Sequence, residues 1–163
     1  MKELGEDHAT IAVDYNSIGR VWEARGEFDK AIDYYKKALE INLQNFGDDA
    51  LEVANDYNSL GIAWIQKQDY EKAAEYFNKA LEINENHEQT DPFNLAMLYN
   101  NLGETLKQKA HQAKATQTYK KSIEYFQEAK EILENQKDKA IDVSGEIEKI
   151  NESMAEIQKI LEK

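Results

Sequence analysis

The sequence contains no cysteine and a single proline, Pro92, in 163 residues. Without cysteine there is no disulfide, no thiolate metal site and no thiol nucleophile, which suits a reducing, cytoplasmic location. One proline and seven glycines leave few breaks, while Ala, Leu, Glu, Lys, Gln and Ile fill long stretches, so the composition points to an all-α fold. No apolar run approaches the length of a membrane span, and the opening MKELGEDHAT has no apolar stretch of the secretory kind. Basic residues are scarce as well. Twenty Lys and Arg against 32 Asp and Glu give a formal charge of −12, which repels phosphate backbones and anionic lipid faces, so neither nucleic acid nor membrane is expected as a partner.

What the chain has instead is repetition. DYNSIGRVW at 14–22 returns as DYNSLGIAW at 56–64 and as LYNNLGETL at 98–106, a spacing of 42 residues each time. Residues 4–45 and 46–87 align without a gap at eighteen identical positions, including KALEIN at 37–42 and 79–84. A fixed period of this length is the mark of an array of small units rather than of one irregular core. The first half of each unit carries apolar residues in steps of four, three and four: Ile11, Tyr15, Ile18, Trp22; Val53, Tyr57, Leu60, Trp64; Leu95, Tyr99, Leu102, Leu106. The second half repeats the pattern with Phe28, Ala31, Tyr35, Ala38, Leu39 and with Tyr70, Ala73, Phe77, Ala80, Leu81. Each unit therefore reads as a pair of helices.

Turns are expected at ARGEF (24–28), QKQDY (66–70) and QKAHQ (108–112), and connectors at LGEDH (4–8), NFGDDA (45–50) and NHEQTDPF (86–93). The third unit loses the pattern in its second half, and a last amphipathic segment carries Val143, Ile147, Ile150, Met154, Ile157 and Leu161. The expected organisation is one domain over 1–163: repeats at 4–45, 46–87 and 88–136, then a capping helix at 139–162.

With Gly19, Gly61 and Gly103 in register, each unit resembles the tetratricopeptide repeat. Four residues before the glycine stands an aromatic (Tyr15, Tyr57, Tyr99), and three after it a bulky apolar residue (Trp22, Trp64, Leu106). Small residues follow at twelve and nineteen (Ala31, Ala73, Ala115; Ala38, Ala80, Ser122), with an aromatic at sixteen (Tyr35, Phe77, Tyr119). The 42-residue period is similar to that of kinesin light chain and its bacterial relatives.

The resemblance implies a right-handed superhelical α-solenoid of three helix pairs plus a C-terminal capping helix, whose first helices line a concave groove. It implies a protein-interaction scaffold that holds a peptide segment of a partner. The groove positions it implies are Val13, Asn16, Arg20, Glu23; Asn55, Asn58, Ile62, Ile65; and Met97, Asn100, Glu104, Lys107. The three asparagines recur at one row, and a carboxamide both donates and accepts, so they are expected to grip a peptide backbone and to bond little within their own chain.

Other chemistry has little support. HEQTD (87–91) has Asp91 where a zinc-protease motif needs a second histidine, and Pro92 follows at once, so it reads as a connector with no metal site. No serine and histidine base are brought together by the repeats, so no catalytic residues and no cofactor are expected, and the chain reads as no enzyme. The Trp and Tyr stripes read as core rather than as a stacking platform. The alternative to peptide capture is a structural or self-associating fragment of a longer array, joined through exposed repeat ends, or the sensor half of a larger regulatory protein; the start inside a connector motivates it.

Overall fold

The computed structural model describes residues 3–136 and 142–162. Among these residues there are seven helices and no strand: α1 (Glu3–Ala24), α2 (Phe28–Phe46), α3 (Leu51–Gln66), α4 (Tyr70–Asn86), α5 (Pro92–Ala113), α6 (Thr116–Glu134) and α7 (Ser144–Leu161). They fall into two compact units, Met1–Glu88 and Gln89–Lys163.

In the first unit, α1 pairs with α2 and α3 with α4 through short turns. Gly26 and Gln68 both take the left-handed conformation there, at φ 76 and φ 60. Glycine does this freely; Gln68 does it at a modest cost in backbone strain. Beyond it, the Asp69 carboxylate accepts from the Lys72 N–H at 3.1 Å and closes the start of α4. The core between the pairs holds Ala31, Ile32 and Tyr35 of α2 against Leu60 and Ala63 of α3, with Trp22, Leu39, Tyr57, Trp64 and Tyr76 packed around them. LGEDH (4–8) is not a connector: these residues belong to α1. Acidic residues favour the first turns of a helix, which is the physical reason the segment can extend it.

The repeated glycine is there for contact. A Cβ on Gly19 would lie 2.6 Å from Tyr35 Cε1, and one on Gly61 would lie 2.7 Å from Phe77 Cε1. Both partners stand sixteen residues on. In the second unit the equivalent partner of Gly103 is Phe126, at 2.8 Å from the same virtual atom, and not Tyr119. The partner has moved seven residues along the chain. Tyrosine pairs move with it: Tyr15–Tyr34 and Tyr57–Tyr76 are matched by Tyr99–Tyr125 at 6.1 Å.

The cause is a longer hairpin. QKAHQ (108–112), expected as a turn, is helical, and α5 continues to Ala113 before Lys114 takes the left-handed turn position at φ 51. One extra turn on the outgoing arm is answered by one on the returning arm. The small residues beside the aromatic become Ser122 and Ala129, both fully buried, and the Ser122 hydroxyl donates to Gly103 O at 2.6 Å. Tyr119 stands nearer the turn, with its hydroxyl 2.9 Å from His111 Nδ1.

The last helix covers α6. Ile147, Ile150 and Ile157 of α7, with Val143, join Phe126, Ala129, Leu133 and Tyr119 in one core. The start expected at residue 139 lies outside the described residues; α7 itself begins at Ser144.

Candidate functional site

Residues expected along the groove lie on α1 and α3 in the first unit and on α5 in the second. Val13, Arg20 and Asn55 are exposed, while Asn16, Asn58, Ile62 and Ile65 are half-buried. Glu23 is half-buried and accepts a hydrogen bond from the Tyr35 hydroxyl at 2.6 Å. Burial above all, and then that carboxylate, push the Tyr35 phenol well above its ordinary range.

The asparagine of the first repeat is not a free amide. Asn16 Nδ2 donates to Asp56 Oδ1 at 2.6 Å, and Asn42 Nδ2 donates to Asp56 Oδ2 at 2.7 Å. Asp56 is fully buried. Each carboxylate oxygen thus receives one amide, from α1 on one side and α2 on the other, and the pair of bonds fixes α3 against the first helix pair. The expectation that Asn16 bonds little within its chain therefore fails. A charged side chain buried at this depth needs donors, and the amide supplies one. Desolvation raises the Asp56 carboxyl pKa, and the two amides pull it down by less. Asn16 Oδ1 is itself buried and meets no donor among the described residues.

Asp56 and Asn42 were missed as partners because nothing in a linear pattern marks a helical Asp as buried. One signal was present. Asp14 and Asp56 precede the repeated YN, and Asn42 and Asn84 end the repeated KALEIN, so both halves of the clamp recur at the repeat period. At the next repeat Leu98 stands in the aspartate's place, and Asn84 turns to its own helix, donating to Ala80 O at 2.8 Å.

In the second unit, Met97, Asn100 and Glu104 are half-buried on α5. Glu104 Oε1 accepts from Ser153 Oγ and, at 3.0 Å, from Lys107 Nζ, which also reaches Ser153 Oγ at 3.2 Å and Glu156 Oε2 at 3.3 Å. The Lys107 side chain is only 11% exposed. Two of the expected positions, Glu104 and Lys107, are thus engaged by α7. Ser153 and Glu156 follow them by 49 residues, the 42-residue period lengthened by the seven residues of the longer hairpin.

The tryptophans are half-buried and capped by lysines, with Lys30 Nζ 4.3 Å from the Trp22 ring centre and Lys72 Nζ 4.1 Å from that of Trp64. His87 and Glu88 lie in the connector after α4, and the Asp91 carboxylate accepts from Phe93 N at 3.4 Å at the start of α5, with Pro92 in its first turn. Asp91 therefore has a structural role as a cap.

Recurring glycine–aromatic contacts between paired helices decide the family, and comparison with known proteins agrees. The Tetratricopeptide repeat family matches residues 9–86 and again residues 96–129. The chain belongs to the tetratricopeptide repeat family. Its 42-residue period is the kinesin-light-chain-like variety. Among solved structures it is similar to BtubC (BKLC) from P. vanneervenii, at 28% identity and a TM-score of 0.70 over 77% of this chain and 47% of that one. The chain thus spans about half the length of BtubC. It is also similar in fold to the N-terminal domain of stress-induced protein-1 (STI-1) from C. elegans, at 14% identity and a TM-score of 0.65, covering 90% of this chain and 96% of that domain. No curated protein sequence matches the chain. Tetratricopeptide repeats generally mediate protein–protein interactions and are typically non-catalytic scaffolds. No helix among the described residues is long and apolar enough to cross a membrane.

Proposed function

We propose that this chain is a cytoplasmic interaction module that holds an extended peptide segment of a partner protein along its first helices, and that it acts without catalysis, cofactor, nucleic acid or membrane. The observation carrying this reading is the row of side chains turned outward on α1 and α3: Val13, Arg20 and Asn55 are exposed, beside the half-buried Ile62 and Ile65. The Asn16–Asp56 bond joins the two helices that bear the row, so these side chains lie on neighbouring helices. An extended peptide laid across them would meet apolar surface at Val13, Ile62 and Ile65, and donors at Arg20 and Asn55. Asn58 extends the proposed contact set on α3, and Met97, Asn100 and Glu104 are the positions on α5 that correspond to it in the repeat. Asn16 belongs to it through its position, with one amide hydrogen already committed to Asp56.

The test is site-specific photocrosslinking in the native source, with the crosslinking residue placed at Val13 or Asn55 and, as control, at the exposed Asn78 of α4. One partner captured at 13 and 55 and released by Arg20→Ala is the expected result. Equal capture at Asn78, or none at 13 and 55, would overturn the reading.

A further inference from the structure

A second face of α1 is open, and it is separate from the proposed peptide row. Ile11 and Ile18 are 39% exposed and Val21 54%. Forty-two residues on, Val53, Leu60 and Ala63 occupy the same turns of α3, and all three are 0% exposed. Leu60 and Ala63 are covered by Ala31, Ile32 and Tyr35 of α2. The stripe on α1 is therefore a surface of the kind this fold covers with a helix.

Its charges indicate which helix. Asp14 lies on α1 and Arg25 in the turn just past its end, where the Arg25 N–H still bonds to Val21 O at 3.3 Å, so the two charges stand on either side of Ile18 and Val21. Neither has an ion-pair partner among the described residues; the Arg25 guanidinium rests 5.4 Å from the Trp22 ring centre. We propose that two copies of the chain pair through antiparallel α1 helices about a two-fold axis passing between Ile18 and Val21. In that register Ile18 meets the second copy's Val21, and Asp14 meets the second copy's Arg25. The same contacts recur on the other side of the axis, as a two-fold interface requires. A slide of two turns would set Asp14 against the aliphatic Ile18, so charge and apolarity select one register. The formal charge of −12 on each copy opposes association, so the dimer is weak, with a dissociation constant on the order of 10 μM.

Sedimentation equilibrium of the 163-residue chain across that concentration range tests the pairing, with circular dichroism confirming that each variant stays folded. Reversible monomer–dimer exchange is expected. Val21→Glu and, as a second variant, Ile18→Glu should each weaken it by about tenfold or more. Asp14→Arg should do the same, and the double exchange of Asp14→Arg with Arg25→Asp should restore the dimer. A monomer at every concentration overturns the proposal, as does a dimer indifferent to Val21→Glu or a double exchange that fails to restore pairing. Val13 lies off this stripe, so peptide capture and self-pairing stand or fall separately.

Discussion

Asn16 of the first helix donates its amide to Asp56 of the third, 40 residues away, at 2.6 Å. A residue in the middle of the most repeated motif thus holds two repeats together. Replacing Asn16 with alanine takes one of two donors from a buried carboxylate, and we expect a loss of about 1–3 kcal/mol of stability despite alanine's better helix propensity. Urea unfolding would show it as a lower midpoint with unchanged slope. An unchanged or raised midpoint would mean that Asp56 is satisfied in another way.

The same carboxyl gives a pH signature. Burial raises its folded pKa above the ordinary 3.8, so between those values the folded state binds more protons than the unfolded chain. Stability from this group then falls as pH rises through that window, and the cost is fully present above the folded value. Relative to Asp56→Asn, the native chain should gain stability as the pH is lowered from about 7 to about 4. Urea unfolding of the two proteins at each pH measures the difference; a difference flat in pH would refute it.

Gly103 and Phe126 provide a test of register. A methyl group on Gly103 would sit 2.8 Å from the Phe126 ring, and overpacking of that kind costs about 1–3 kcal/mol. Gly103→Ala should destabilise the second unit, and a second change of Phe126→Leu should recover part of the loss. Tyr119→Leu should not. The thermal midpoints of these double variants decide between the two aromatics.

Ile157 of α7 is fully buried against the core of the second unit. Ile157→Ala should cost about 2–5 kcal/mol, while Glu156→Gln, on the same helix but more than half exposed at its side chain, should cost less than about 1 kcal/mol. Equal and small effects in both would show that α7 does not cover α6 in solution.

Helix number and pairing were legible in the sequence, because apolar spacing leaves local marks. The third hairpin was not. Its turn signal was spread over KAHQAKA, where alanines suit a helix as well as a turn, so Tyr119 took the aromatic place sixteen after Gly103 in the repeat register, whereas Phe126 is the ring that packs on that glycine. The clamp at Asp56 was hidden for a different reason. Whether a helical aspartate faces water or Asn16 and Asn42 depends on a neighbouring repeat, and periodicity within one helix carries no trace of it.

The seven-residue lengthening of the third pair says how such a chain can change size. Positions facing each other across a hairpin sit at equal distances from its turn, so a longer arm must be matched by its mate. Four residues out and three back keep both apolar faces inward, whereas one added residue would swing a face by about 100° into solvent. The step survives to the end of the chain, where α7 meets α5 at a spacing of 49. Length in this architecture is quantised, like the teeth of a gear, and tolerable insertions come in paired helical turns.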